Sequence, residues 1–262
     1  MSFLMDPNMT YEEKMQKLFS IIDKSKNICF FGGAGVSTGS GIPDFRSEDG
    51  LYNNVDKEFE KFKPEYLLSN QCFNHNPKVF YSFYRKKMDA RKYEPNVVHK
   101  TLALLEEQGK LNGIVTQNID MLHEKAGSKK LYKIHGTIGK NHCIKCNKEF
   151  DIDYIFENTD SIPRCSCGRQ NNYVRPNVVL YGENLPSTEV NLALKTITSA
   201  DCLIVCGSSL QVNPAASFVS SFVGENMIII NREPTSYDCY ADIVFHEDMN
   251  DVFKTLFKHI DN

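Results

Sequence analysis

Nine cysteines occur in the 262-residue chain, and four of them crowd into one short stretch: Cys143, Cys146, Cys165 and Cys167. The first pair encloses two residues, the second encloses one, and 18 residues lie between the pairs. Four thiolates at such spacing suit a tetrahedral zinc ion with no open ligand position, so the expected site is structural rather than catalytic. A redox pair, unpaired surface thiols and an iron–sulfur cluster are the alternatives on ligand type alone. The other five, Cys29, Cys72, Cys202, Cys206 and Cys239, are scattered, several in apolar runs where a thiol packs like a small hydrophobe. An odd total with a tight cluster points to a reducing compartment, and the cytoplasm is the expected location.

A second concentration of chemistry is the glycine-rich segment 32–47, GGAGVSTGSGIPDFRS, which follows a short apolar run. Gly33 and Gly35 let the backbone turn tightly toward a pyrophosphate, whose charge is met by N–H groups at the start of the next helix. The third glycine of the dehydrogenase fingerprint would fall at Thr38, so that fingerprint is incomplete. A Walker loop is excluded because no Gly-Lys-Ser/Thr follows. Past Pro43, the side chains of Asp44, Phe45 and Arg46 offer a carboxylate, an aromatic face and a guanidinium. Such a loop can cover a nicotinamide and hold a diphosphate.

Polar residues also gather where strands end. Gln117, Asn118 and Asp120 follow the run 113–116, at the edge where open α/β sheets bind ligands. The plainer reading is a polar strand-to-helix turn with Asp120 as a cap. Ser208 and Ser209 follow Gly207 after another apolar run and can meet phosphate or ribose. Asn231 ends a further run and can bond an adenosine ribose, with Asp248 a second candidate at the adenine end. No Gly-x-Ser-x-Gly surrounds Ser208, so a nucleophile elbow is absent. Among seven histidines, His135 stands out in a His-Gly turn just before the cysteine cluster, and its ordinary pKa of about 6.5 suits a general base. His123 reads as structural or supporting. His75, His99, His142, His246 and His259 carry no catalytic assignment.

These residues need a frame. Helical spacing of apolar residues runs over 11–25, 97–108 and 189–198, and continuous apolar runs at 27–31, 113–116, 201–206, 227–230 and 242–245 read as buried strands. Alternation of the two predicts an α/β fold with a doubly wound, Rossmann-like parallel sheet covered on both faces. The expected core is 11–47, 97–138 and 177–258. Residues 48–96 read as a helical insertion and 139–176 as a zinc module too poor in apolar mass to stand without a staple. A net charge of −3 gives no general positive field for nucleic acid, and no run of 18 apolar residues suggests a membrane span.

Taken in order, the motifs resemble the sirtuin family over roughly residues 11 to 258. Gly33-Ala34-Gly35-Val36-Ser37 with residues 41–47 is similar to the family's first signature, and residues 116–120 followed by Leu122-His123 to its second. His135-Gly136, residues 182–186, Gly207–Leu210 and residues 212–215 match later motifs. Two departures are the single residue inside the second cysteine pair and Thr38 in place of a frequent alanine. The resemblance implies one bacterial-type catalytic core that removes acyl groups, acetyl first, from protein lysines. NAD is consumed, giving nicotinamide and O-acyl-ADP-ribose, and one structural zinc is held. It implies His135 as the base for a ribose hydroxyl, with Asn118 placing the nicotinamide ribose and a water. Gln117 would meet the ribose and Asp120 the carboxamide, with Ile119 beside them. Gly33, Ala34, Gly35, Thr38, Phe45, Arg46, Gly207, Ser208, Ser209, Asn231 and Asp248 would complete the cofactor site. The acyl-lysine substrate would bind as an added β-strand between residues 176–183 and the turn at Val212. Val179, Tyr181 and Val212 would line its tunnel, with Gly182, Glu183 and Asn184 alongside. Sirtuins that take acidic acyl groups resemble one another in a Tyr-x-x-Arg pair. Here Tyr81 is followed at that spacing by Tyr84, and Arg85 is one residue late. Protein ADP-ribosyl transfer from the same site is the alternative activity, and a non-catalytic NAD-sensing or zinc-bearing module the alternative class.

Overall fold

A computed structural model describes residues 9–45, 50–53, 56–158, 162–211 and 215–261. In chain order its elements are α1 (Tyr11–Lys24), β1 (Ile28–Gly32), α2 (Gly35–Thr38), α3 (Pro64–Leu67), α4 (Asn70–His75), α5 (Pro77–Lys87), α6 (Val97–Glu107), β2 (Leu111–Thr116) and α7 (Leu122–Ala126). Then follow β3 (Leu131–Lys133), β4 (Gly136–Cys143), β5 (Glu149–Asp151), α8 (Asp153–Phe156), β6 (Val174–Val178), α9 (Ser187–Thr198), β7 (Cys202–Cys206), β8 (Asn226–Ile230), β9 (Ile243–Phe245) and α10 (Met249–Ile260).

Six strands form one parallel sheet in the order β3-β2-β1-β7-β8-β9, the doubly wound arrangement expected from the sequence. Successive residues of each central strand face opposite layers. Phe30, Ile204, Ile228 and Phe245 pack with the apolar stripes of α1, α6 and α10. Phe31, Val205, Ile229 and Val244 pack with α9 and the 3₁₀ turn Ala215–Ser221. Local signals agree with this. Thr10 and Glu13 form a reciprocal capping box that starts α1, whose buried face is Met15, Leu18, Ile21 and Ile22.

A separate three-stranded antiparallel sheet, β5-β4-β6, carries the cysteine cluster. Its apolar side is not self-contained. Ile138, Ile155, Val174 and Leu180 share a core with Leu67, Phe73, Phe80, Tyr81 and Tyr84 from α3, α4 and α5. The helices between β1 and α6 thus provide the apolar mass that the cysteine stretch lacks. β4 to β6 have no counterpart among the predicted strands, because they are short or half-buried and lack a run of apolar residues. No helix among the described residues is long and apolar enough to cross a membrane.

The core holds an unusual polar pair. His99 of α6 and His123 of α7 are buried with ring centroids 4.7 Å apart. Burial drives His99 down to about 4 and His123 well below its ordinary value, His99 and Lys133 adding to the effect on His123. Both are therefore neutral in the fold, whereas the unfolded chain protonates them near about pH 6.5. As pH falls below that value the unfolded state takes up protons that the folded state refuses, so stability falls until the folded pKa is reached. Denaturant midpoints measured from pH 7 down to 5 should drop, with each such histidine contributing a slope of up to about 1.4 kcal/mol per pH unit. A His123→Phe variant should show a flatter profile. An unchanged slope would contradict this account.

Candidate active site and metal centre

β1 and β7 lie side by side at the centre of the parallel sheet, and their turns meet without any side chain between them. Gly33 N–H donates to the Cys206 carbonyl at 3.0 Å, and Gly35 N–H to that of Gly207 at 2.9 Å. A Cβ on Gly33 would stand 2.6 Å from the Gly207 oxygen, and one on Gly35 2.8 Å from the Gly207 Cα. Gly207 itself sits at φ +59°. From spacing alone, Gly33 and Gly35 answer to the approach of a pyrophosphate. The structure adds a prior reason, which is that the two turns could not otherwise touch.

Beyond this seam, α2 presents Ser37 to the turn after β2. Ser37 Oγ donates to Asp120 Oδ2 at 2.7 Å, and Asn118 Nδ2 donates to Ser37 Oγ at 3.0 Å. Asp120 Oδ1 also accepts from Leu122 N–H at 3.0 Å, so the plainer capping role and a place in the polar cluster coexist. Burial raises the Asp120 carboxyl, opposed by the Leu122 and Ser37 hydrogen bonds. The three residues line a cavity of about 830 Å³ together with Ala34, Phe45 and Ile119, facing Leu51, Met88, Tyr93 and Ile138. Ser37 is a residue for which the sequence reading gave no role, although it stands within the glycine-rich motif.

His135 occupies the gap between β3 and β4. Its Nδ1 lies 2.9 Å from the Gln117 carbonyl, an acceptor only, so Nδ1 carries the proton and Nε2 keeps its lone pair. Burial lowers the His135 pKa, partly offset by this hydrogen bond, and the ring is neutral at pH 7. Gln117 Nε2 in turn donates to Ser208 Oγ at 2.9 Å, spanning the end of β1. His135, Gln117 and Ser208 stand outside the lining of the 830 Å³ cavity. Ser37, Asn118 and Asp120 do line it.

Other predicted residues are placed differently. Thr38 is exposed and donates to the Gly35 carbonyl at 2.9 Å within its own turn. Asn231 is buried and donates to the Glu233 carbonyl at 2.6 Å. Asp248 is exposed and caps α10 by accepting from Asn250 N–H at 2.7 Å, an engagement the sequence reading did not foresee. Ser209, Gly182 and Asn184 are exposed. Arg46 and Val212 lie outside the described residues.

On the proposed substrate edge, Val179 N–H donates to the His135 carbonyl at 2.9 Å, joining that edge to the histidine. Tyr181 N–H donates to the Leu68 carbonyl, and its own carbonyl accepts from Asn70 N–H, both at 3.0 Å. Its hydroxyl is 2.6 Å from that of Tyr52. Glu183 is engaged within the chain. Its carboxylate takes both Arg175 nitrogens at 2.7 and 3.0 Å, Asn70 Nδ2 at 2.7 Å and Leu180 N–H at 2.9 Å. Its carboxyl lies at about 2, burial pushing it upward and these partners pulling it further down. Arg175 had no local signal in the sequence, since the pairing depends on β6 returning beside α4. Glu183→Gln should cost about 2 kcal/mol in chemical unfolding, typical of hydrogen bonds to a charged group. The charge contributes fully above the unfolded carboxyl pKa and is lost as pH falls toward about 2, so the wild-type advantage should vanish in strong acid. An unchanged unfolding midpoint at pH 7 would refute the clasp.

The four clustered thiols converge. Cys143 Sγ is 3.9 Å from Cys167 Sγ, Cys146 Sγ is 3.7 Å from Cys165 Sγ, and all four lie within 4.8 Å of one another. A tetrahedral zinc with bonds of about 2.3 Å places its sulfurs roughly 3.8 Å apart, so the donor set fits that ion. Each pair ends in a left-handed residue, Asn147 at φ 58° after Cys146 and Gly168 at φ 72° after Cys167. That turn lets the shorter Cys165–Cys167 corner close as the longer one does.

A doubly wound sheet with ligand-type groups along its strand ends, beside a small four-thiolate module, defines a nucleotide-binding α/β protein stapled by zinc. The Sir2 family model matches residues 33–214. The chain belongs to the Sir2 (sirtuin) family. It is 46% identical over 245 residues to an NAD-dependent protein deacetylase of Clostridium acetobutylicum, covering 93% of this chain and 98% of that protein. Against the NAD-dependent protein deacetylase of Staphylococcus epidermidis it is 46% identical over 243 residues, covering 92% and 96%. Among solved structures it resembles a mutant Sir2 homologue in complex with ADP ribose, with TM-score 0.84 and 34% identity, covering 94% of this chain and 96% of that one. It also resembles a Sir2 mutant with deacetylated p53 peptide and 3′-O-acetyl ADP ribose, with TM-score 0.83 and 32% identity, covering 93% and 97%.

Proposed function

We propose that this protein is an NAD-dependent protein lysine deacylase, acting first on acetyl-lysine and resident in the cytoplasm. The observation that carries the reading is His135, its Nδ1 proton fixed on the carbonyl of Gln117, the residue next to Asn118 of the Ser37–Asn118–Asp120 cluster. In this reading NAD is a substrate that gives up nicotinamide while the acyl oxygen joins its ribose. The chain orients two weak reactants and excludes water. Nε2 of His135 then takes a ribose hydroxyl proton, for which a buried and neutral imidazole is in the correct state at pH 7.

Asn118, Asp120, Ile119, Ala34 and Phe45 hold the nicotinamide end, because they share the cavity wall. Gln117 and Ser208 hold the ribose side, with Gly33, Gly35, Thr38, Ser209, Asn231, Asp248 and Arg46 completing the cofactor contacts. The peptide adds as a strand along 176–183 opposite the turn at Val212, with Tyr181 and Val179 at the tunnel. The cysteines hold one zinc that takes no part in the chemistry, and the core, helical insertion and zinc module act as one catalytic unit. A neutral acyl group is supported by the former candidates for an acid-binding pair. Tyr81 donates its hydroxyl to the Val174 carbonyl, Tyr84 is fully buried, and Arg85 Nε bonds the Ile155 carbonyl. Deacetylation is also the activity in the relatives' names, which ranks it above ADP-ribosyl transfer. The test is incubation with NAD and a panel of acyl-lysine peptides. Nicotinamide release that depends on acetyl-peptide is the expected result. Release that ignores the peptide, with ADP-ribose appearing on protein, would replace this reading with the alternative.

A further inference from the structure

Asn96 stands at the start of α6, 60 residues along the chain from Val36, yet its side chain reaches the glycine-rich turn. Oδ1 accepts from Val98 N–H at 2.9 Å and so caps the helix. Nδ2 points the other way and donates to the Val36 carbonyl at 2.8 Å. Val36 precedes Ser37, the hydroxyl that joins Asn118 to Asp120. The Asn96 side chain is itself held in place. His99 Nδ1 lies 3.3 Å from Asn96 N and 3.0 Å from Asn96 Oδ1. One tautomer accepts from the first and the other donates to the second, so either fixes the cap. His99 packs edge-on against His123 of α7, the helix that the Asp120 carboxylate starts by accepting from Leu122 N–H.

A closed circuit results. It runs from Ser37 to Asp120, along α7 to His123, across to His99 and Asn96, and back through the Val36 carbonyl to Ser37. We infer that Asn96 is a positioning residue for the nicotinamide end of the site, fixing Ser37 and through it Asn118 and Asp120. This inference rests on the assignment of Asn118 and Asp120 to that end. The cap alone would need only Oδ1. The amide nitrogen is what ties α6 to α2, and it is separable from the cap by chemistry.

Asn96→Asp keeps a cap oxygen and loses the donor to Val36. Asn96→Ser keeps a shorter cap and cannot span to Val36, which gives a second route if the aspartate disturbs folding. Both variants should show a five- to tenfold rise in the KM for NAD and a matching weakening of nicotinamide inhibition, with the KM for acetyl-peptide within twofold of wild type. Calorimetric titration with NAD repeats the comparison without turnover. A merely structural role would lower kcat in proportion to lost folded protein and leave both KM values alone, and that result overturns the proposal. So does a raised KM for NAD with unchanged nicotinamide inhibition. An Asp120→Asn variant with an unchanged KM for NAD would instead overturn the underlying assignment of the nicotinamide end.

Discussion

Replacing His135 by alanine should lower acetyl-peptide-dependent nicotinamide release and deacetylation by about 10²- to 10⁴-fold, the range typical of a lost general base. NAD binding should survive. The ring's own contact is to a backbone carbonyl, and the Val179 N–H bond to the His135 carbonyl does not involve the side chain. Calorimetry with NAD beside a chromatographic rate assay separates the two quantities. The pH profile gives an independent check. Burial lowers the His135 pKa, so the wild-type acid limb should lie below the ordinary histidine range, and activity should fall as pH drops through it. The alanine variant should lose that limb. Turnover within tenfold of wild type would remove His135 from the mechanism.

Stripping zinc should have the second large effect, on stability rather than on chemistry. Purified protein should carry about one zinc per chain. Chelation, or Cys146→Ser, should cost at least about 3 kcal/mol, roughly 6–12 °C in Tm for a domain of this size. The damage should spread, because Cys143 and Cys165 are buried in the same core as Phe80 and Tyr84 of α5. Met88 and Ile138 belong to that core and also line the cavity. Affinity for NAD should therefore weaken when the metal leaves, although no thiol is near His135 in the proposed chemistry. Protein that keeps its Tm after complete chelation would show the thiols to be unmetallated in function.

How much of this was legible beforehand follows from the range of the signals. The central strands announced themselves through runs such as residues 202–206, which are buried on both faces. The four cysteines and the polar residues after β2 carried their chemistry in local spacing. The edges of the molecule did not. β4 reads as a polar stretch because one side faces solvent and the other leans on helices more than fifty residues earlier. Glu183 was legible as a polar group on the substrate edge, but not its partners Arg175 and Asn70, which come from two other elements. The cap that the Asp248 carboxylate makes on α10 was likewise not legible beside its possible place at the adenine end. Asn96 and His99 carried only the pattern of a helix start. Their reach to Val36 depends on how α6 docks, which no window of sequence contains.

The glycine seam between β1 and β7 has a mechanical consequence. Where side chains separate two elements, rotamer changes absorb small displacements. Where backbone touches backbone at hydrogen-bond distance, nothing is left to yield. Gly33, Gly35 and Gly207 therefore make the middle of the large sheet a fulcrum. Whatever yields when one reactant enters and another leaves must lie outside this seam, where side chains rather than main chain meet. The smallest side chains in the chain thus fix which part of the enzyme stands still.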